Sequence, residues 1–417
     1  MRKVFKFSAE MVDGTIVNDY IKTDSVMTAK RLISELGYKI RYIEIDHLRT
    51  LTNIYEKKIP LRNLKEIVAI FYNTIKQGIN PEIIVETIPE MFTGYTKQQT
   101  LRIKKLITTQ GLSLSKVFEL IGMNTFIVKA IESAEKESGN LEEVLGKVVF
   151  LLDVLAKGES ELAKALINPK IILTIITLII YIVYGFAMKK ALGFFENHLT
   201  YGITTKIVIA ITNLININVY VSGFVVALII LGIWKLFTVK TIFAVASFPN
   251  YLKYKFPRWK DYGISRALIN GLSFILKPFM ALQENYEIMK ICYFIDLLYS
   301  AGVKPDVIIQ YLTEIVDSKY MKQMLLSTLP YIRMGQPFYE AFKFVGFKPD
   351  FIGFLKAGAE TTQLEYYMVS FAENKKMLFE RSIFALSTVL PLIMLVFASG
   401  FIIFTFAGIY LPMFNLK

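Results

Sequence analysis

The side chains that most often perform catalysis are few in this chain of 417 residues. It contains one cysteine, Cys292, and two histidines, His47 and His198. A single cysteine excludes a disulfide framework and a multi-cysteine metal site. Because an apolar segment that we expect to cross a membrane lies between the two histidines, they cannot share a metal ion. We interpret both histidines as surface residues, and Cys292, which lies in an apolar helix, as a buried structural thiol.

Two local patterns could indicate bound ligands. A phosphate-binding loop needs Gly-x-x-x-x-Gly-Lys-Ser/Thr. Around Gly146-Lys147, the first glycine of this motif is replaced by Leu141 and the final Ser or Thr by Val148, so the motif is absent. A group of acidic residues could hold a hard cation only if several of its oxygens converge, so we interpret it as helix caps and solvent-facing groups. Its members are Glu132, Glu135, Glu137, Glu142 and Glu143. We therefore predict no catalytic, cofactor-binding or metal-binding residues, and a protein that is not an enzyme.

Apolar residues make up 54 % of the sequence, more than in an ordinary soluble domain. They are concentrated in three stretches without charged residues, at 171–188, 207–234 and 382–416. A helix of about 18 residues spans about 27 Å, close to the hydrocarbon thickness of a bilayer. Pro391 is expected to kink or tilt the third stretch. The predicted transmembrane helices are 170–190, 214–237 and 383–412.

Three asparagines, Asn213, Asn216 and Asn218, interrupt the start of the second stretch. They could mark either a contact between helices or the interfacial end of the span, and we favour the interfacial end. None of the three stretches carries a charged residue that could act as a relay. This absence argues against a transporter.

Lysine and arginine concentrate beside the cytoplasmic ends of membrane spans. Here they precede the first and third spans and follow the second, which predicts a cytoplasmic N-terminus, an outside loop at 191–213 and an outside C-terminus. The formal charge of +13 comes from 48 Lys and Arg against 35 Asp and Glu. We attribute it to this topology and to contact with anionic membrane lipid. The basic and aromatic stretch 253–260 is interpreted as a juxtamembrane anchor and not as a nucleic-acid site.

The N-terminal segment 1–46 predicts a small α/β module. Two short strands joined by a turn at Asp13-Gly14 are followed by a helix and a third strand. Residues 47–61 form a polar linker.

Residues 62–156 align with residues 288–380 at a constant offset. The offset of 224 (302 − 78) pairs Gly78 with Gly302, Pro81 with Pro305, Gly111 with Gly335, and Gly122 with Gly346. Glycine just after one helix and proline in the first turn of the next is typical of a short helix junction. We predict two homologous helical domains at 62–165 and 288–380, with a basic cytoplasmic connector at 240–287.

The predicted fold class is therefore mainly α. We expect a polytopic membrane protein with three transmembrane helices, two homologous cytoplasmic helical-bundle domains and a small N-terminal α/β module.

Several motifs carry a family resemblance. The chain opens with Phe5-x-Phe7 and Met11-Val12-Asp13-Gly14-Thr15, and its last span closes with Gly408-Ile409-Tyr410-Leu411-Pro412-Met413-Phe414. The element Glu137-Ser138-Gly139-Asn140-Leu141 is echoed by Glu360-Thr361-Thr362-Gln363-Leu364. Together with the two Gly-x-x-Pro junctions, these parts resemble the GspF/PilC family over nearly the whole chain. Thr362 stands where that family favours glycine.

The resemblance implies a platform protein of the bacterial inner membrane, in a type IV pilus or type II secretion machine. It implies as partners a cytoplasmic hexameric assembly ATPase, the transmembrane helices of pilins or pseudopilins, other inner-membrane assembly proteins and further copies of the chain. Such a platform would couple the ATPase to extraction and polymerisation of pilin subunits. The residues do not distinguish a pilus, a secretion pseudopilus and a DNA-uptake filament. The alternative is a membrane-anchored docking component of a signalling or transport complex.

Overall fold

The computed structural model of the chain describes residues 3–10, 16–23, 25–35, 38–47, 59–79, parts of 83–107, 113–120, 123–136, 140–188, 190, 203–255 and 263–414. The predicted turn at Asp13-Gly14 lies outside these residues. So do Pro81, Gly111, Gly122 and residues 137–139 of the predicted repeat.

Three strands and fifteen α-helices are defined in the described part of the chain. The strands are β1 (Lys3–Glu10), β2 (Ile16–Thr23) and β3 (Lys39–Ile45). The helices are α1 (Val26–Glu35), α2 (Leu61–Lys76), α3 (Leu114–Leu120), α4 (Thr125–Lys136), α5 (Leu141–Ala165), α6 (Ile167–Ile182), α7 (Ile203–Asn216), α8 (Val219–Leu236), α9 (Val239–Lys255), α10 (Gly263–Ser300), α11 (Pro305–Ile315), α12 (Lys319–Arg333), α13 (Phe338–Val345), α14 (Pro349–Glu360) and α15 (Leu364–Phe414).

The N-terminal module is a small antiparallel sheet covered by one helix. Its strand order is β2-β1-β3, and the pairing of β1 with β3 is irregular between Ser8 and Ala9. The buried side chains of Phe7 and Ala9 meet Ile33 of α1. Alternate residues of β1 therefore supply one buried face, as the period of a strand requires, and the predicted small sheet is confirmed.

The two polar segments are helical, and two helices of the first have counterparts with nearly the same bounds in the second. Adding 224 to the bounds of α3 and α4 gives 338–344 and 349–360, against Phe338–Val345 for α13 and Pro349–Glu360 for α14. The glycines that follow α2 and α10, Gly78 and Gly302, have φ angles of 68° and 72°. Glycine adopts this left-handed conformation without steric cost. These two pairs of helices and one pair of turns agree with a duplication, although homology of the two bundles remains a prediction.

One hydrophobic core runs through both bundles. Phe71 and Phe118 meet edge to face in the first bundle, at 5.5 Å between ring centroids. Phe126 of the first bundle contacts Phe294 of the second at 4.3 Å. The side chain of Asn140 donates to the backbone oxygen of Ser300 at 2.7 Å. The bundles are therefore packed against each other and not merely tethered.

Two helical stretches in the described residues are long and apolar enough to cross a membrane. They are Leu141–Phe186, which joins α5, α6 and a π-helical turn at Val183–Ala187, and Leu364–Gly408 within α15. Helices α7 and α8 meet at an angle of 102° and would supply a third crossing only if the bent pair counts as one broken span. The prediction of three spans is thus not confirmed.

Three predicted boundaries differ from the structure. Helix α7 occupies residues 203–213 of the segment 191–213 that we expected to be a loop, and the second span predicted at 214–237 is divided before α8. The division occurs because the side chain of Asn218 accepts hydrogen bonds from the backbone of Tyr220 and Val221 and so begins a new helix. In the described part of the connector predicted at 240–287, the chain forms α9 and the first part of α10, which continues unbroken into the second bundle.

Candidate functional site

A lysine of the first bundle reaches across to acidic groups of the second. The Nζ atom of Lys147 in α5 lies 2.9 Å from Oδ1 of Asp296 in α10 and 3.0 Å from Oε2 of Glu365 in α15. It also bonds the hydroxyl of Ser300 and lies 3.3 Å from Glu143 of its own helix. The ammonium group of Lys147 therefore connects α5, α10 and α15 at the interface between the bundles.

This interface lies in a partly dry environment. Only 8 % of the Asp296 side chain is exposed, against 22 % for Lys147. Burial raises the pKa of Asp296, and the hydrogen bond from Lys147 opposes that rise. A buried carboxylate is costly unless it keeps its partner, so the contact couples the two bundles strongly. An adjoining cleft of about 720 Å³ is lined by Tyr72, Glu142 and Phe150 among others.

Two of the three residues that we considered for catalysis, Cys292 and His47, lie in the described part of the chain. Cys292 is fully buried, as predicted, and burial raises the pKa of its thiol. His47 is exposed, as predicted, while His198 lies outside the described residues. Lys147, which we considered as part of a phosphate loop, is used instead in the contact between bundles.

The predicted acidic group is dispersed. Glu132 lies between Lys129 and Lys136, and the hydrogen bond from Lys129 is the main reason that its pKa is below the usual value. Glu135 accepts hydrogen bonds from the backbone and hydroxyl of Ser115 at the start of α3. Glu137 lies outside the described residues. Among the residues that are described, no three His, Cys, Asp or Glu side chains are grouped so that they could hold a metal ion.

A second cluster joins the apolar helices by uncharged hydrogen bonds. The hydroxyl of Tyr184, in the π-helical turn, lies 2.9 Å from that of Thr405 in α15. Thr205 of α7 donates to the backbone oxygen of Gly408 at 2.9 Å. Asn216 donates to the backbone oxygen of Tyr184 at 3.1 Å. In an apolar region, hydrogen bonds between polar side chains of neighbouring helices stabilise the packing of those helices.

The cluster corrects our interpretation of the asparagines. We favoured the interfacial end of a span, whereas Asn216 forms a contact between helices and Asn218 begins α8. The reason is the π-helical turn, since such a turn displaces backbone oxygens from the regular helical pattern. The oxygen of Tyr184 is then available to an amide from the neighbouring helix.

Sequence reasoning missed the contact around Lys147 altogether. Lys147 and Asp296 are separated by 149 residues, and no local pattern marks such a pair. The family resemblance is, by contrast, supported by comparison with known proteins. Residues 294–412 match a family model described as Type II secretion system (T2SS), protein F. A comparison with curated proteins gave no match.

Proposed function

Since the chain carries a domain of the GspF/PilC family at residues 294–412, we propose that it is the inner-membrane platform of a type IV pilus or type II secretion machine. In this role it couples a cytoplasmic hexameric assembly ATPase to the extraction and polymerisation of pilin or pseudopilin subunits. The family domain supports a component related to these systems, and two helical stretches that are long and apolar enough to cross a membrane support a membrane location. The coupling itself is our proposal.

The continuity of the helices carries this proposal. Helix α15 begins in the second bundle at Leu364 and continues without a break through the last apolar stretch to Phe414. The stretch Leu141–Phe186 connects the first bundle to the first apolar region in the same way. A movement of the bundles therefore reaches the membrane through two helices, with no flexible linker to absorb it.

The contact between the bundles supports movement as one body. The ion pairs of Lys147 join α5 to α10 and α15, and the shared core contains Phe126 and Phe294. Interfaces that are packed in this way move as units instead of deforming continuously. We propose that the ATPase acts on this double bundle from the cytoplasm, with both bundles on the same side of the membrane as the N-terminus and with the C-terminus outside.

The direct test is a break in α15. A four-glycine insertion after Glu380, between the bundle and the apolar stretch, should abolish fibres or secreted substrate in a strain that lacks the native gene. The protein should still insert in the membrane and co-purify with the assembly ATPase. The matched control is the same insertion after Gly335, an exposed glycine with a φ angle of 84° in the turn between α12 and α13. We expect that control to support assembly.

Two results would contradict the platform. Normal assembly with the α15 insertion would show that helix continuity does not transmit the work. Deletion of the gene with normal fibres and secretion but a lost solute flux would favour the alternative, a docking component of a transport or signalling complex. Reporter fusions that place the two bundles on opposite sides of the membrane would also remove the proposed topology.

A further inference from the structure

A separate cavity lies in the second bundle, on the side of the helices that lead to the membrane. It has a volume of about 340 Å³, at the small end of the usual range for ligand pockets. Helix α9 contributes Ser247 and Asn250, α10 contributes Gln283 and Glu287, and α15 contributes Lys375. The cavity thus joins the helix that follows α8 to the helix that forms the last apolar stretch.

Two polar side chains of this cavity are almost completely buried. Gln283 is 4 % exposed and Glu287 is 1 % exposed. Within the described residues, Nε2 of Gln283 has no hydrogen bond of normal geometry, although the amide is close enough to favour the ionised form of Glu287. The Glu287 carboxylate accepts from the backbone of Ser318 at 2.5 Å. A buried amide without a full set of partners is costly, so it indicates a ligand that would accept its hydrogen bond.

Two lysines that line the cavity are already paired with carboxylates. Lys348 lies 2.6 Å from Glu284, and Lys375 lies 2.8 Å from Asp350. A simple anion or cation would have to compete with these pairs. The lining atom without a hydrogen bond of normal geometry among the described residues is Nε2 of Gln283, a neutral donor, which favours a ligand with a neutral acceptor.

The walls of the cavity are suited to a flat ring. They include thioether and aromatic side chains, which make favourable contacts with the faces and edges of aromatic ligands. These are Met280, Met321, Met324, Phe347 and Phe351. The other lining residues are mostly polar, so the cavity places these apolar side chains beside several hydrogen-bonding groups.

We propose that this cavity binds a nucleobase, whose edge presents a hydrogen-bond acceptor beside a donor. The acceptor receives the amide hydrogen of Gln283, and the donor bonds the carboxyl group of Glu287. Purines offer such edges, with N1 and the N6 amino group in adenine and with O6 and N1–H in guanine. The base would be held between α9, α10 and α15, and so would tie together helices that lead to two apolar segments. This site is independent of the platform function proposed above.

The protonation of Glu287 agrees with such a partner. Burial raises its pKa to about 7, while the neighbouring Lys290 lowers it and Asp317 raises it. Near neutral pH the carboxyl group can therefore accept or donate a hydrogen bond. In either form the carboxyl group keeps an oxygen that can accept the hydrogen bond from the adenine or the guanine edge.

The test is equilibrium binding to the purified full-length chain in lipid nanodiscs, with AMP, GMP, CMP and UMP as probes. Each of the four bases carries an acceptor beside a donor, so we expect saturable binding of at least one nucleotide, and tighter binding of the purines because their larger ring face buries more apolar area. The Gln283→Met variant removes one buried hydrogen bond and should weaken binding about tenfold. The Gln310→Met variant, at an exposed position of α11, is the matched control and should bind normally.

A second variant guards against misfolding of the first. Met280→Trp reduces the cavity from its wall and should also abolish binding, with circular dichroism and the thermal midpoint used to verify folding of each variant. Failure of the wild-type chain to bind any of the four nucleotides saturably would overturn the proposal. So would unchanged affinity in folded Gln283→Met or Met280→Trp. Neither readout involves the ATPase or pilin, so the platform function is tested separately.

Discussion

The helical bundles and the apolar helices hold their parts together by different means. Between the bundles, Lys147 makes charged contacts with Asp296 and Glu365. Between the apolar helices, the contacts are hydroxyl and amide hydrogen bonds such as that between Tyr184 and Thr405. No charged side chain takes part in the second set.

The difference follows from the cost of removing a charge from water. A partly buried ion pair beside solvent can keep its remaining hydrogen bonds, but its loss leaves an isolated charge. In a lipid environment the same charge would cost more, while a neutral hydrogen bond contributes about 0.6 kcal/mol on average. The bundle contact should therefore be strong and sensitive to substitution, and each contact between apolar helices weak and replaceable.

The largest effect should come from Lys147→Met. This change leaves Asp296 and Glu365 without their cation and should lower the free energy of unfolding by about 4 kcal/mol. Denaturant unfolding in detergent micelles measures it. Lys116→Met, which removes an exposed pair with Glu119, should change stability by less than about 0.5 kcal/mol. Equal effects of the two variants would show that burial does not strengthen the bundle contact.

A buried carboxyl group on the bundle side gives the second test. The pKa of Glu287 is about 7 in the folded chain, mainly because of burial, and near 4.5 when unfolded. Between about pH 4.5 and about pH 7, Glu287 is therefore protonated in the folded chain and ionised in the unfolded chain. The free energy of unfolding should fall by about 3 kcal/mol as the pH rises through this range. Below that window the group is protonated in both states, and above it the group is ionised in both.

Glu287→Gln should remove most of this pH dependence. The measurement is the thermal midpoint of the detergent-solubilised chain across the same pH range. Glu314→Gln, at an exposed position of α11, is the control and should leave the slope in place. A slope that survives in Glu287→Gln would assign the titration to another group.

On the membrane side, the largest effect should come from close packing. A Cβ atom on Gly408 would lie 2.6 Å from Cγ2 of Val208, a stiff β-branched side chain of α7. Gly408→Ala should cost about 2 kcal/mol through overpacking. Gly400→Ala in the same helix has open space around its Cβ position and should cost nothing. Thermal unfolding of the two variants compares them directly.

The smallest effect should come from Tyr184→Phe. It removes one neutral hydrogen bond, and Thr405 keeps its bond to the backbone oxygen of Phe401. The expected loss is about 0.6 kcal/mol, measured in a double-variant cycle with Thr405→Val. A coupling energy between Tyr184 and Thr405 of about 4 kcal/mol, the effect expected for Lys147→Met, would contradict the claim that contacts between the apolar helices are the weaker ones.

Local sequence signals predicted the elements of the fold well. Gly302 followed by Pro305 predicted a helix junction, and the structure places Gly302 between α10 and α11 with a positive φ angle. The substitution noted at Thr362 proves informative, because this residue has a φ angle of 54°, where glycine is favoured. The strand pattern of the N-terminal module was equally local and equally reliable.

Contacts between distant residues left no such signal. Nothing near Lys147 indicates that its partner is Asp296, because the pair depends on how two bundles dock. The bend before α8 was missed for another reason. The average composition around Asn218 is apolar enough to predict one continuous span. The hydrogen bonds that the Asn218 side chain accepts from Tyr220 and Val221 nevertheless start a new helix there.

The length of α15 has a mechanical consequence. A helix of 51 residues extends about 77 Å, more than twice the hydrocarbon thickness of a bilayer. In the platform that we propose, this helix, held at its first turns by the bundle, would act as a lever with its fulcrum at the membrane surface. A tilt of about 5° would displace one end relative to the other by about 7 Å, more than the rise of one helical turn.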